Sequence, residues 1–314
     1  MALRDILGTV NCGASGVIGS GLRGCPIDLE NITNFGFLKP GTILTDFSRE
    51  TLRTLQKEGK YIPLLNGFDT TWNNEENQME TAENSGKMSK SRDGLYSFTA
   101  TFTNGLFFQK VLKSMDGQNR WDVLLIDDAG TVAGTSRDKD EFRGFRVQMF
   151  STNPYTPKAG ATSAKTSVTI QLANSNEVNM YADWITADNY DFDITTVDGV
   201  NQVNLLPVSG FVAASTSLVV KPVLDMDNHT LASGLAVENF LVKVNGNPVT
   251  PASVTENASV GTYTIELASA LSAEDKVEVV LYNSSANQRV IEVGTSPEEI
   301  LYQSKELVEV AAAA

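Results

Sequence analysis

Few side chains in this sequence have the type and spacing that catalysis requires. A Ser-His-Asp or Cys-His arrangement could use only His229, the one histidine of the chain. His229 follows Asp227 and Asn228 in a polar segment predicted to be a loop, where a solvent-exposed histidine is the favoured interpretation. Tyrosine, tryptophan and aspartate are present, but no pair stands at the spacing of a catalytic motif. We therefore expect no catalytic residue and not an enzyme.

Two sets of residues have side chains of the types that bind metal ions: the two cysteines with the histidine, and an acidic segment before that histidine. Zinc sites need several His or Cys side chains at set spacings, and Cys12, Cys25 and His229 do not supply them. The segment Asp225-Met-Asp-Asn228 could ligate Ca²⁺ through oxygen, but no glycine and no downstream bidentate glutamate complete an EF-hand loop. The sequence therefore predicts no metal site.

Two further groups of charged residues are better explained by structure than by chemistry. Asp127 and Asp128 could act as a carboxylate pair, yet they stand in a predicted hairpin turn, where aspartate is common. The mixed-charge run Asp138–Glu141, with Arg137 and Arg143, is predicted to be a solvated face. A bridge between subunits is the alternative for that run.

A glycine-rich arm, Gly8–Gly24, contains the letters Gly19-x-Gly21-x-x-Gly24 of a dinucleotide-binding turn. That motif needs a strand before it and a helix that opens within it. Here Cys25-Pro26 follows, the residue before proline is biased away from helix, and no βαβ unit surrounds the motif. We expect no cofactor, and an arm that orders against a neighbouring subunit.

Composition limits the partners of the chain. With 314 residues, 41% of them hydrophobic, it is long enough for one large or two medium domains. The net charge of −14 disfavours a protein that coats nucleic acid, and solubility is its ordinary explanation. Neither a signal peptide nor a membrane span is recognised, so Cys12 and Cys25 are expected to be reduced, with a disulfide as the alternative.

The central stretch, Trp72–Leu172, predicts strands around one helix. Its polar arm, Asn73–Ser91, is predicted to fold back as a solvated hairpin, with a disordered acidic loop as the alternative. Leu95–Phe102 alternates with period two and predicts a half-buried strand. In the helix that follows, Leu106–Met115, the apolar side chains predicted to pack inward are Phe107, Phe108, Val111, Leu112 and Met115.

Further strands are predicted on either side of Asp127-Asp128-Ala129 and at Phe142–Phe150 and Thr166–Leu172. Ser48 is predicted to cap a helix at Arg49–Glu58. Strands, a helix and more strands indicate a mainly β domain, a β-sandwich or barrel with a flanking short helix.

The C-terminal third predicts a second β domain. Asp198-Gly199 predicts a hairpin between Phe192–Val197 and Val200–Leu206, and Asn245-Gly246 predicts another. Short strands at near-regular spacing then place the domains at residues 1–208 and 209–314. Thr295–Glu299 predicts the start of a helix, and the tail from Leu307 could be a helix end, a strand or a partner-binding extension.

Two pieces of this region, VKVNGNPV and GTYTIELASALSAEDKVEVVLY, resemble bacterial immunoglobulin-like domains over roughly residues 215–293. The resemblance implies a C-terminal immunoglobulin-like β-sandwich. Because the Cys-Trp-Cys core of antibody-type domains is missing from the sequence, it does not resemble those domains.

The order of pieces over about residues 5–205 resembles the tail-tube protein family of tailed bacteriophages. The pieces are the polar arm, the aromatic strand, the short helix, and the segments Gly144–Phe150, Asn153–Gly160 and Lys165–Leu172. The resemblance implies a structural virion protein, made in the host bacterial cytoplasm, whose copies close into rings, commonly hexamers. The rings stack and contact other virion proteins, DNA passes the lumen without specific binding, and no membrane is involved.

Two other classes remain open from the sequence. A capsid decoration or head-fibre protein would also be β-rich with an immunoglobulin-like module, and it would bind a capsid lattice. A surface adhesin or carbohydrate-binding protein is the second alternative, which the missing signal peptide disfavours.

Overall fold

Strands dominate the computed structural model, which describes residues 3–8, 29–81, 86–137, 140–295 and 298–313. The chain divides into two units, Met1–Val197 and Asp198–Ala314. The division falls before the predicted boundary at 208/209 because Asn201–Pro207 is a strand that pairs with two strands of the second unit. The predicted hairpin around Asp198-Gly199 is wrong, since Ile194–Thr196 forms a 3-10 turn.

The described residues of the first unit form twelve strands and four short α-helices. The strands are β1 Ile32–Leu38, β2 Tyr61–Leu64, β3 Gly67–Trp72, β4 Gln78–Thr81, β5 Met88–Arg92, β6 Ser97–Phe102, β7 Gly117–Gln118, β8 Asp122–Asp127, β9 Val132–Thr135, β10 Phe145–Thr152, β11 Thr166–Leu172 and β12 Ala182–Ile185. The helices are α1 Leu3–Ile6, α2 Arg49–Lys57, α3 Gly105–Met115 and α4 Ser175–Asn179.

The main sheet of this unit curls on itself. Its order is β12-β9-β8-β10-β11-β6-β3, and β1 pairs with β8 and β2. The far edge returns to β1, because the Thr70 hydroxyl donates to the Ile32 carbonyl over 2.7 Å and the Asn66 amide donates to Asn34 Oδ1 over 2.8 Å. Gly67 permits this approach, since a Cβ atom there would lie 2.5 Å from the Thr33 carbonyl oxygen. Six strands therefore enclose one core like a barrel.

Aromatic rings fill that core. Phe98 stacks on Phe35 at 5.6 Å between ring centroids, and Phe37 meets Phe150 edge-on at 5.3 Å. Phe98, Ala100 and Phe102 are fully buried along β6, as its alternating pattern predicts. Such ring pairs add to the free energy gained from burial alone.

The two longer helices were predicted at nearly their observed bounds. Ser48 caps α2, its hydroxyl accepting from the Thr51 amide over 3.3 Å. In α3, Leu112 and Met115 are buried, but Phe107 and Val111 are 50% and 45% exposed, so their predicted inward packing is wrong. The helix lies at an end of the barrel, where the core accommodates only part of its apolar circumference.

The second unit is a β-sandwich of a six-stranded sheet, β17-β18-β14-β13-β21-β20, and a four-stranded sheet, β16-β15-β19-β22. Its strands are β13 Asn201–Pro207, β14 Ser217–Leu224, β15 Phe240–Val244, β16 Asn247–Val249, β17 Ser253–Asn257, β18 Thr262–Glu266, β19 Lys276–Leu281, β20 Val290–Val293, β21 Ile300–Ser304 and β22 Leu307–Val310. One mostly aliphatic core lies within it. The mainly β class predicted from the sequence is confirmed for the described residues of both units.

In the second unit, one hairpin prediction is confirmed and one helix prediction is wrong. Asn245 and Gly246 both have positive φ, 52° and 81°, and form the predicted hairpin turn between β15 and β16. The helix predicted to start at Thr295–Glu299 is wrong, because Ile300–Ser304 pairs with β20 and β13 as a strand. The tail from Leu307 is also a strand, paired with β19.

Candidate functional site

The loop around His229 is organised by a carboxylate rather than by the imidazole. His229 is exposed, and its backbone amide donates to Asp227 Oδ1 over 2.9 Å. Asp227 also accepts from the amide and the hydroxyl of Thr230. The hydrogen bond from the Thr230 hydroxyl, followed by those from the two amides, lowers the pKa of Asp227 to about 2. Asp227 therefore fixes the turn.

The side-chain oxygens of Asp225 and Asn228, which the sequence offers as calcium ligands, accept hydrogen bonds instead. The Asn204 side-chain amide donates to Asp225 Oδ1 over 2.6 Å and to Asn228 Oδ1 over 2.7 Å. The Lys305 ammonium lies 3.1 Å from the Asp225 carboxylate. Among the described residues, no three His, Cys, Asp or Glu side chains are placed to hold a metal ion.

Asp127 and Asp128 close the β8–β9 hairpin. Asp127 is buried, its Oδ1 accepts from the Thr131 amide over 2.7 Å, and its Oδ2 accepts from the Glu30 amide over 3.4 Å. Asp128 is exposed and accepts from the Asn31 side chain over 3.3 Å. The prediction of a structural turn is confirmed.

Several predicted features lie outside the described residues: the Gly19-x-Gly21-x-x-Gly24 motif, both cysteines, and Asp138 and Lys139. Of the remaining mixed-charge run, Arg143 pairs with Glu141. Arg137 extends instead toward Glu177, with 4.0 Å between the guanidinium and the carboxylate.

Sequence reasoning missed a polar cavity of about 40 Å³, lined in part by the buried residues Asp122, Thr135 and Glu177 and by exposed arginines. Asp122 Oδ2 accepts from the Gly41 amide over 2.9 Å, while Asp122 Oδ1 and Thr135 Oγ1 have no hydrogen-bond partner. Glu177 Oε2 accepts from the Arg146 amide over 2.8 Å. Burial, reinforced by the charge of Glu177, raises the pKa of Asp122. The cavity has room for about one water molecule. The sequence feature that could have revealed this cavity is Asp122, an acidic residue at the start of the apolar strand β8.

A larger, mostly apolar cavity of about 420 Å³ lies at one mouth of the barrel. Its lining includes Trp72, Tyr96, Phe145 and Trp184. The Tyr96 hydroxyl donates to Asn179 Oδ1 over 2.5 Å. Barrel mouths are common places for small apolar ligands, but such sites also need a few convergent polar groups to orient the ligand. The carboxylate of Asp183, on the same lining, already accepts from the Trp184 amide over 2.9 Å.

The polar arm forms a two-stranded ribbon, β4–β5, as predicted, and residues 82–85 lie outside the described part. Every described residue of both strands is exposed, including Met79 at 51% and Met88 at 65%. An ion pair between Arg92 and Glu75, with 3.0 Å between charged atoms, ties its base. β4 and β5 pair with each other and with no other described strand.

A second exposed feature surrounds the start of α3. Leu106, Phe107 and Val111 are 58%, 50% and 45% exposed on this helix. Phe68, which is 64% exposed, belongs to the same end of the barrel, because Gly67 pairs with Phe102 immediately before α3. We refer to these four side chains as the outer α3 patch.

Comparisons with known proteins add little. No protein-family model matches the chain, and no curated protein matches it. One similar solved structure is SGBP-B of the Bacteroides ovatus mixed-linkage glucan utilization locus, in complex with a mixed-linkage heptasaccharide. It is 11% identical, with a TM-score of 0.18 over 75% of this chain and 60% of that chain, and this similarity is too low to support an argument. No helix among the described residues is long and apolar enough to cross a membrane.

Proposed function

We propose that this protein is a structural virion protein, not an enzyme, whose copies assemble into the stacked rings of a bacteriophage tail tube. The observation that carries the proposal is the β4–β5 ribbon. A two-stranded hairpin alone is marginally stable in water and needs a third strand or a packed face for support. Both faces of this ribbon are exposed in a single chain, so a neighbouring copy is the natural source of that support.

The chemistry of the ribbon suits contact with copies of the same chain. The first half of the polar arm carries Glu76 and Glu80, and its second half carries Lys87 and Lys90, of which Lys90 also pairs with Asp93 over 2.7 Å. Neighbouring ribbons therefore present both signs of charge to each other. The two methionines of the ribbon, Met79 and Met88, provide adaptable apolar contacts. Pairing in a ring also covers strand edges that would otherwise invite uncontrolled association.

In this proposal the first unit forms the wall of the tube and the second unit decorates it. Repeated head-to-tail contacts close into rings when the rotation between neighbours permits. DNA then passes the lumen without specific binding, since a chain with net charge −14 repels phosphate.

Electron microscopy of the purified full chain tests the proposal. We expect hollow rings or stacked tubes, and we expect them to disappear when residues 77–93 are replaced by a short Gly-Ser turn. Circular dichroism of the shortened variant serves as the folding control. A chain that stays monomeric at every concentration contradicts the proposal and favours a capsid decoration protein that lacks its capsid.

A further inference from the structure

The side chains of the outer α3 patch are between 45% and 64% exposed. The opposite side of α3 packs on the core through Leu112 and Met115, which are 0% and 2% exposed. The Trp121 indole donates to the Met115 carbonyl over 2.9 Å, and the Gln109 side chain donates to the Asn153 carbonyl over 2.7 Å. Leu106, Phe107 and Val111 are therefore free to contact another molecule.

The composition of the patch resembles the centre of a protein interface more than an ordinary surface. Scattered exposed apolar residues are common, but neighbouring large ones mark interaction sites. Aromatic side chains, here Phe107 and Phe68, are enriched among the residues that contribute most to binding.

Two lysines give the patch a charge. The Lys110 ammonium lies 5.1 Å from the centre of the Phe107 ring, and the Lys165 ammonium lies 5.9 Å from that of Phe68. Neither lysine has an ion-pair partner among the described residues. The surface that best fits this patch is apolar with an acidic rim, and a chain with 38 acidic and 24 basic residues offers acidic surface on every other copy.

The same charges disfavour a contact between two identical patches. A contact of one patch with the same patch of another copy would bring their lysines together, which like-charge repulsion opposes. A contact in which the patch meets a different, acidic surface of the next copy has no such cost. Repeated head to tail, contacts of this kind generate closed rings or open filaments.

We propose that the outer α3 patch binds an acidic-rimmed apolar surface of a second copy of this chain, a surface different from the patch itself. The inference rests on the proposed self-assembly and names one surface that produces it. It is independent of the ribbon, which lies in a different segment.

Sedimentation velocity of the full chain over a range of concentrations tests the contact. The test variants are Phe107→Gln, Val111→Gln and Lys110→Glu, all at exposed helix positions where the substituted residue favours helix. Met180→Gln is the matched control, because Met180 is an exposed apolar residue, at 70%, at the end of another helix of the same unit. Circular dichroism confirms that each variant is folded.

We expect the concentration at which half of the chain is assembled to rise about tenfold or more for Phe107→Gln, and less for Val111→Gln. Lys110→Glu should also weaken assembly and reduce its sensitivity to salt, because it removes a charge attraction. Met180→Gln should assemble like the unsubstituted chain.

Two contrary results are distinguishable. If the unsubstituted chain assembles and the Phe107 and Lys110 variants assemble equally well, the patch is not the contact, while the proposed function stands. If the unsubstituted chain never assembles, the proposed function fails and the patch inference fails with it.

Discussion

The β8–β9 hairpin and the β4–β5 ribbon are both antiparallel two-stranded units of the first unit, but their surroundings are opposite. Every residue of β8 and β9 is buried, whereas every described residue of β4 and β5 is exposed. Asp127 links its hairpin to Glu30 and Thr131, while the ribbon has ion pairs between Arg92 and Glu75 and between Lys90 and Asp93. The first hairpin thus belongs to the core of the fold. The second is free for contacts with other molecules.

This difference separates stability from assembly. Substitutions in the barrel and its hairpin should lower the free energy of unfolding, and substitutions in the ribbon should leave it almost unchanged. Substitutions in the ribbon should instead weaken the association of copies, and substitutions in the barrel that leave the chain folded should change association little. The predictions below test that separation, beginning with the largest effect.

Phe98→Ala should lower the free energy of unfolding by about 3–5 kcal/mol, because it leaves a cavity beneath two aromatic neighbours. Phe98 is fully buried and lies 5.6 Å from Phe35 and 5.0 Å from Trp72, measured between ring centroids. Urea denaturation measures the change. Phe107→Ala, at an exposed ring, is the matched control and should cost far less; similar losses for both would contradict the assigned core.

Asp127→Ala should cost about 1–3 kcal/mol, because it leaves the buried amide of Thr131 without its carboxylate acceptor. The neighbouring substitution Asp128→Ala, at an exposed side chain, should cost much less. The same denaturation experiment compares the two. Equal effects would show that the turn does not depend on the buried carboxylate.

Asp122→Asn should change how stability depends on pH. The pKa of Asp122 is raised by burial above its ordinary value of 3.8, so the folded chain holds this proton more tightly than the unfolded chain. Its contribution to stability is therefore complete below that ordinary value and is lost as the pH rises through the raised pKa. The stability of the variant relative to the unsubstituted chain should therefore increase as the pH rises above the ordinary value of 3.8. A difference that stays constant as the pH rises above that value would contradict the raised pKa.

Met79→Ser and Met88→Ser should change the free energy of unfolding by no more than about 0.5 kcal/mol, since both side chains are exposed. They should nevertheless raise the concentration needed for assembly, because they remove apolar contacts between neighbouring ribbons. Denaturation and sedimentation velocity measured on the same samples separate the two effects. A large loss of stability without loss of assembly would reverse the roles assigned to ribbon and barrel.

Sequence patterns predicted correctly those parts of the fold that depend on interactions between residues close together in the chain. The alternation along Leu95–Phe102, the Ser48 cap and the Asn245-Gly246 turn each depend on neighbouring residues, and each was predicted correctly. Asp198-Gly199 has the letters of a hairpin turn, but Ile194 and Val197 before it are buried in the first unit. Tertiary packing overrode the turn preference there.

Long-range contacts were beyond the reach of the sequence. Whether Phe107 and Val111 face the core depends on where α3 meets the end of the barrel, which helical spacing alone cannot give. Asp122 and Glu177 come together only through strand pairing and the position of α4. The exposed ribbon could be predicted in advance, because its segment is almost free of large apolar residues.

The most direct test of the central claim is negative-stain electron microscopy of the full chain beside the variant that lacks residues 77–93. The account predicts hollow rings or stacked tubes from the full chain and dispersed, folded particles from the shortened one. Monomers from both chains, or identical tubes from both, would contradict the role assigned to the ribbon.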